Sequence, residues 1–363
     1  MNAKLHVAVV GCGIGRQHIA AYRNLPDHYD VLAVCDVNVD KARAVARDAG
    51  VPRVSADLSE LCAMSDLDVI DLCTPPGFHF AQILQVLAAG KHCICEKPLV
   101  GSLREVDELM VAEARAGKRM MPIFQYRFGH GLQKLKLLID KGVAGRAYVS
   151  NIDLAWRRRA EYYAVPWRNS WETELGGTLT GHAIHALDML MYAIGPVKNV
   201  FARAKTLVNP IRLEDCAAVS LEMADGSLAT MSVTLGSAVE ITRHRLCFSN
   251  LVAESNTRPY TNSHDPWTFT GDTPELQALI DQTLAGFDPQ PERFEGQFIL
   301  FHKALQQGGE PPVTLSDARR AVEILTAMYK SARTNQDISL PLPKDEWYNG
   351  WRPTTGDGGT VAG

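Results

Sequence analysis

Two domains are predicted for this chain of 363 residues: an α/β domain built on a doubly wound parallel sheet, then an α+β domain with a large open, mostly antiparallel sheet. Three observations carry the prediction. Up to Phe124, short apolar strand-like runs alternate with segments of helical period. Beyond Gly142, segments that alternate apolar and polar residues follow one another instead. The length also exceeds what one hydrophobic core comfortably holds. The boundaries fall at 1–124 for the first domain, 125–343 for the second and 344–363 for a C-terminal tail.

The first strand is read at Leu5–Val10, and Gly11 and Gly13 break it before a helical segment, Ile14–Leu25. Tyr29–Cys35 is the next strand, Val39–Ala49 a helix and Val51–Ser55 a short strand. Leu58–Met64 is helical behind an Asp57 cap. Val69–Cys73 is a strand, and His79–Ala89 a helix closed by Gly90. His92–Cys95 and Arg119–Phe124 are strands flanking a helix, Ser102–Ala116, closed by Gly117. Strict alternation implies parallel strands joined by crossover helices. Ligands of such sheets collect at the carboxyl ends of the strands. Thr74-Pro75-Pro76, Glu96-Lys97-Pro98 and Gln125-Tyr126-Arg127 all follow strand ends, so they are expected at one edge.

In the second domain Gly131–Lys141 reads as a helix. Ala147–Ala155, Val197–Thr206, Ala217–Met223, Ser227–Leu235 and Thr242–Phe248 read as strands, with a turn at Ala224-Asp225-Gly226 and one helix at Ala183–Ile194. Leu315-Ser316-Asp317 is read as the cap of a helix from Ala318 to Thr334, expected to pack back on the first domain. From Thr354 onward the Gly- and Thr-rich tail is expected to be disordered.

Composition narrows the function classes. With 46% hydrophobic and 21% charged residues, the chain reads as an ordinary globular protein. A net charge of −4 without a basic block gives no footprint for nucleic acid. The N-terminal apolar run is interrupted by Gly11 and Gly13 and is needed for the first strand, so neither a signal peptide nor a membrane span is expected. Eight cysteines form no Cys-x-x-Cys pair, and Cys35, Cys73, Cys93 and Cys95 sit in apolar strand patterns as small hydrophobes. Reduced thiols point to the cytoplasm.

The first strand, its glycines and the following helix form a dinucleotide-binding loop: Gly11, Cys12, Gly13, Ile14 and Gly15 offer bare N–H groups and a positive helix end to a pyrophosphate. The usual third small residue is replaced by Arg16, with Gly15 one position early. Asp36, at the end of the next strand, is placed to bond the adenosine ribose hydroxyls. Its charge would repel the 2′-phosphate of NADP, so NAD is preferred, with Lys41 and Arg43 softening that preference.

Gly11–Gly15, Thr74-Pro75 with His79, Ala89-Gly90-Lys91-His92 leading into Glu96-Lys97-Pro98, and Gly176-Gly177 leading to His185 and Asp188 resemble the glucose–fructose oxidoreductase and inositol dehydrogenase (Gfo/Idh/MocA) family. The similarity runs over nearly the whole chain. It implies a Rossmann domain, a second domain whose open sheet builds homodimers or homotetramers, and NAD(P)-dependent oxidation or reduction of a sugar, cyclitol or related polyol. Lys97 is then the cation that polarises the reacting oxygen and His185 the general base or acid. Pro98 is expected to carry a cis peptide bond. Thr74, Pro75, His79, Glu96 and Gln125 join Lys97 and the glycine loop as cofactor-binding residues.

Arg127, Arg157, Tyr163, Trp167, Arg168 and His182 are the candidate substrate contacts, since aromatic faces and planar donors suit sugars. Where many relatives carry Asp-x-Gly-x-His, this chain has Gly181, Ala183 and an added His182, so His182 or Glu172 takes the substrate-orienting role. His182, His185 and Asp188 share a helix face, but no further Cys or His motif completes a tetrahedral site, and no metal is expected. Asp188 is expected to support the helix or pair locally, and Trp347 and Trp351 to anchor packing or an interface. Two other classes share the fold: an NAD-using glycoside hydrolase, and a non-catalytic dinucleotide-sensing regulator. The regulator predicts loss of Lys97 or His185, and both are present.

Overall fold

The computed structural model describes residues 4–353, so the tail from Thr354 lies outside the described residues. The described residues divide into two compact units, one of 4–124 with 294–319 and one of 125–293 with 320–353. The first unit holds a parallel sheet of six strands: β1 (Leu5–Val10), β2 (Tyr29–Cys35), β3 (Arg53–Ser55), β4 (Val69–Leu72), β5 (His92–Cys95) and β6 (Met120–Pro122). Their order, β3-β2-β1-β4-β5-β6, changes direction between β1 and β4, which is where a doubly wound sheet opens its ligand crevice. The crossovers are α1 (Gly15–Arg23), α2 (Val39–Ala49), α3 (Leu58–Ala63), α4 (His79–Ala88) and α5 (Leu103–Ala116).

Local chemistry sets these helix ends. Asn38, Asp57 and Ser102 accept the backbone N–H of Lys41, Ser59 and Glu105. Such caps are each worth about 1 kcal/mol. Gly50 and Gly117 close α2 and α5 in the left-handed conformation. Val7, Ala8, Val9, Val69 and Ile70 are completely buried, as central parallel strands covered on both faces require.

The second unit begins with α6 (His130–Asp140) and an eight-stranded sheet ordered β13-β12-β11-β7-β10-β9-β8-β14. Its strands are β7 (Ala147–Arg157), β8 (Val197–Lys205), β9 (Cys216–Met223), β10 (Leu228–Thr234), β11 (Gly236–Phe248), β12 (Leu251–Glu254), β13 (Thr268–Gly271) and β14 (Ile338–Ser339). All neighbours are antiparallel except β7 and β10. Alternation is clear in β10, where Ala229, Met231 and Val233 are buried and Leu228, Thr230 and Ser232 face out. Asn151, Asp153, Ser220, Thr230, Ser232, Arg203 and Arg243 line a shallow groove on the outward face. A short helix α7 (Ala160–Tyr163) follows β7, and α8 (Ile184–Ile194) follows the Gly-Gly segment. α9 (Pro274–Ala285) follows β13, and no feature singled out in the sequence marks it.

α10 (Arg293–Gln307) brings the chain back to the first unit, which corrects the expected boundary that places it in the second domain. Phe294, Phe298 and Phe301 are buried there, and Tyr22 stacks on Phe298 at 4.3 Å. Gln297 donates to the Pro122 carbonyl (2.7 Å) and accepts the Phe124 N–H, closing the end of β6. α11 (Leu315–Thr334) corrects two expectations. Thr314 caps it, exchanging hydrogen bonds with Asp317, so the helix starts three residues early. Only its first turn, to Arg319, belongs to the first unit. The rest belongs to the second, where Ser331 accepts the Ala202 N–H and Tyr329 reaches Glu214. Among the described residues no helix is long and apolar enough to cross a membrane.

Candidate active site

The glycine loop joins β1 to α1, and each glycine answers a different constraint. Gly11 has φ +98°, and a Cβ there would lie 2.4 Å from the Cys73 carbonyl oxygen, so only glycine fits. A Cβ at Gly13 would meet nothing within 4 Å, which leaves room for a ligand to approach the main chain. At Gly15 a Cβ would press on Val9 at 2.9 Å. Gly15 therefore does the helix–strand packing expected of the third glycine, and Arg16 is free to face outward. No side chain caps α1 and no acidic residue sits in its first turn. An uncapped helix end above an open glycine fits a pyrophosphate.

Asp36 closes the loop from β2. Its Oδ2 accepts the Cys12 N–H at 2.8 Å and its Oδ1 the Asn38 N–H at 2.9 Å, with the Lys41 ammonium 3.4 Å away. Burial opposes its charge, but these donors outweigh burial and hold the carboxyl below its ordinary range. Cys12 is buried, and burial with the Asp36 charge pushes its thiol up to about 11, so it is an unreactive thiol.

Thr74 and Pro75 follow β4, and the Thr74 hydroxyl donates to Gln82. His79 is completely buried, with its ring nitrogens 2.9 Å from the Thr74 carbonyl and 3.0 Å from the Pro98 carbonyl. The ring ties the loop after β4 to the loop after β5. The Lys97–Pro98 bond is cis. Glu96 is buried, with Oε2 accepting the Lys97 N–H at 3.0 Å and Oε1 lying 3.2 Å from His18 Nε2. Burial acts against the Glu96 charge, and the His18 contact with the Lys97 charge overcomes it, so its pKa is lowered. Gly11, Thr74 and Lys97 thus follow three adjacent strands, β1, β4 and β5.

In the second unit Gly177 is fixed by contact: a Cβ there would sit 1.9 Å from the Glu214 carbonyl oxygen. The buried Glu214 carboxylate accepts the N–H of Gly177 and Leu179 and the Tyr329 hydroxyl. Burial raises its pKa to about 7 despite these donors. They anchor a π-helical turn, Leu179–Ala183, which runs into α8 and which a 3.6-residue reading does not show. A Cβ at Gly181, where many relatives carry aspartate, would meet nothing within 4 Å. His182 packs edge-on against Trp156, with Nε2 3.4 Å from the Tyr162 hydroxyl. The His185 ring, 7% exposed, stacks on Tyr126 at 4.4 Å and 14°.

Several substrate candidates have structural partners. Arg127 is buried and pairs bidentately with Asp188, at 2.9 and 2.6 Å, so the pair braces α8 across 61 residues of chain rather than locally. Glu172 is exposed and accepts from Ser170, and the buried carboxylate nearby is Glu174, paired with Arg168 at 2.7 Å. Arg168 also stacks on Tyr162 (3.7 Å) and Trp167 (4.3 Å). Tyr162 is pushed up to about 12, chiefly by burial. Tyr163 buries its hydroxyl without a hydrogen-bond partner, and Gln125 does the same with Oε1. Arg157 is exposed at the end of β7, its N–H bonded to Glu240. Trp351 is a packing anchor, donating to the Leu175 carbonyl and stacking on Tyr329, while Arg333 lies over Trp347.

Sequence reasoning missed Glu214, Tyr329 and Glu174, all of them partners rather than motif members, and placed Tyr126 at the sheet edge without its stacking on His185. It also missed His18 and Asp71, although a charged residue inside the buried strand Val69–Leu72 was a usable signal. Among the described residues, one set of side chains converges closely enough for a metal: His18, Asp71 and Cys73, within 4.8 Å of one another.

Residues 5–124 match the oxidoreductase family with an NAD-binding Rossmann fold, and residues 132–249 match the GFO/IDH/MocA C-terminal domain. The D-glucoside 3-dehydrogenase of Escherichia coli is 25% identical over 359 residues, spanning 93% of this chain and 98% of that protein. An inositol 2-dehydrogenase of Rhodococcus erythropolis is 36% identical over 150 residues, 41% of this chain and 43% of that protein. Among solved structures, the WlbA dehydrogenase of Bordetella pertussis, in complex with NADH and UDP-GlcNAcA, matches with a TM-score of 0.83 at 28% identity, covering 94% of this chain and all of that one (100%). Glycine loop, parallel sheet and relatives together define an NAD-binding oxidoreductase. The chain belongs to the Gfo/Idh/MocA family.

Proposed function

We propose that this protein transfers hydride between a secondary alcohol of a sugar, cyclitol or sugar derivative and a nicotinamide dinucleotide, with NAD preferred over NADP. The observation that carries the reading is the placement of Lys97, Thr74 and the glycine loop after three adjacent strands of one sheet. When bound, the dinucleotide supplies the hydride acceptor. Gly11–Gly15 and the α1 N-terminus hold its pyrophosphate, and Asp36 its ribose. The Lys97 ammonium stabilises negative charge developing on the reacting oxygen. His185, its ring plane set by Tyr126, takes the hydroxyl proton in oxidation and returns it in reduction. His182, Trp156 and Tyr162 supply an aromatic, hydrogen-bonding wall for the ring of the substrate.

The preference for NAD rests on the charge retained by Asp36 beside the ribose position. The sugar class rests on the relatives, one named for D-glucosides and one bound to UDP-GlcNAcA. A homodimer or homotetramer through the open face of the eight-stranded sheet, and a cytoplasmic location for a chain of eight free cysteines, complete the reading. Cell fractionation tests the location, and recovery outside the cytoplasm contradicts it. The functional test is a panel of aldoses, polyols and sugar derivatives incubated with NAD or NADP and followed at the reduced-nicotinamide absorbance. Net reduction of NAD by at least one sugar or polyol is expected. Binding without net turnover across the panel would favour a sensor or a hydrolase that retains its cofactor.

A further inference from the structure

We infer that His18 is a positioning residue for Lys97, holding the lysine's backbone through Glu96 from beneath the glycine loop; this rests on the catalytic reading of Lys97. His18 lies on α1, the helix that the glycine loop opens, and is completely buried. Its Nδ1 is 2.8 Å from Asp71 Oδ2 in β4, and its Nε2 is 3.2 Å from Glu96 Oε1 at the end of β5. The other Glu96 oxygen accepts the Lys97 N–H at 3.0 Å. One imidazole therefore joins the three strand-end segments that meet at the proposed cofactor site.

The two carboxylates facing the imidazole favour its doubly protonated form. Carboxylates only accept, so contacts at both nitrogens are satisfied together when each carries a proton. Burial opposes that charge, and the Asp71 carboxylate overcomes it, raising the His18 pKa well above its ordinary value. Tyr22 donates to the same Asp71 oxygen at 2.9 Å, the Cys73 sulfur lies 3.4 Å from Nδ1, and Phe294 and Phe298 pack on the ring. The closest approach to a metal set, His18 with Asp71 and Cys73, is thus filled by this hydrogen-bonded network.

Removing the cation leaves the buried Glu96 without its imidazolium partner, and burial then favours its protonated form. A protonated Glu96 no longer presents a charged acceptor to the Lys97 N–H. His18→Gln is expected to lower kcat about tenfold near neutral pH, with the sugar KM and the NADH Kd within about twofold. It should also add an acid limb to the kcat profile, because Glu96 must then ionise with only Lys97 to favour its charge. Asp71→Asn, which removes the charge that holds the imidazolium, is expected to give the same split, and it decides the matter if His18→Gln does not fold. Tyr22→Phe takes a hydroxyl from the same network but leaves His18 between its carboxylates, so kcat should stay within about twofold of the parent. An unchanged kcat in folded His18→Gln or Asp71→Asn, or an equal loss in Tyr22→Phe, overturns the inference. Full turnover in Lys97→Ala would instead overturn the reading on which it rests.

Discussion

At Asp36 a single carboxylate holds the local structure and, in the proposed function, selects the cofactor. It is bonded to the Cys12 and Asn38 N–H groups and stays ionised, so a 2′-phosphate placed at the ribose would meet a fixed negative charge. Asp36→Ala combined with Val37→Arg removes that charge and supplies a cation from an exposed position. The ratio of kcat/KM for NADP over NAD should rise about tenfold or more in steady-state assays with both cofactors. A ratio that stays put removes Asp36 from cofactor selection. The glycine loop, Asp36 and the Glu-Lys-Pro turn are legible in sequence because each is a short motif whose chemistry is local. The partner of Arg127 is not legible, because Asp188 lies 61 residues away and sequence offers no view of which guanidinium is already engaged. The partners of His79 are hidden for the same reason, its carbonyls coming from two different loops.

At the scale of elements, the π turn that carries His182 and leads into the helix of His185 is anchored by Glu214. The buried carboxylate holds the N–H groups of Gly177 and Leu179 at the start of the π turn. Its folded pKa of about 7 stands above the ordinary 4.5, so the native state binds the extra proton between these values. Stability from this group is therefore present below pH 4.5 and lost as pH rises towards 7, by about 3 kcal/mol across the window. Glu214→Gln removes the titration and keeps an acceptor. Denaturant unfolding of parent and variant should show their difference shifting in favour of Glu214→Gln across that window, and parallel pH dependences would contradict the burial. Helix Ala183–Ile194 is visible in its apolar run, but the preceding π turn is not, since one inserted residue leaves no periodic mark. α11 shows the converse: a Thr314–Asp317 capping box is present in the sequence, and the Leu315-Ser316-Asp317 reading places it one turn late.

Two compact units and a crossing of the chain back to the first describe the whole molecule. The first boundary, at Phe124, coincides with a change from alternating strands and helices to consecutive strands. The return of 294–319 is not legible, because an apolar helix face does not declare which core it will join. The outward face of the eight-stranded sheet carries Asn151, Asp153, Arg203 and Arg243 beside apolar Leu228 and Val149, a mixture suited to association. Light scattering is expected to give a mass of two or four chains, and a monomer at micromolar concentration would contradict the proposed assembly.

Lys97 and His185 come from different units, and the proposed hydride transfer needs both in a single chemical step. Residues that act as one device are strongly non-additive. The most direct measurement is a kinetic cycle of Lys97→Ala, His185→Ala and the double variant, with NADH binding followed in parallel. Each single variant should lose about a thousandfold in kcat while still binding NADH, and the double should be no worse than the poorer single. Turnover that survives either substitution, or losses that multiply in the double variant, would contradict the account.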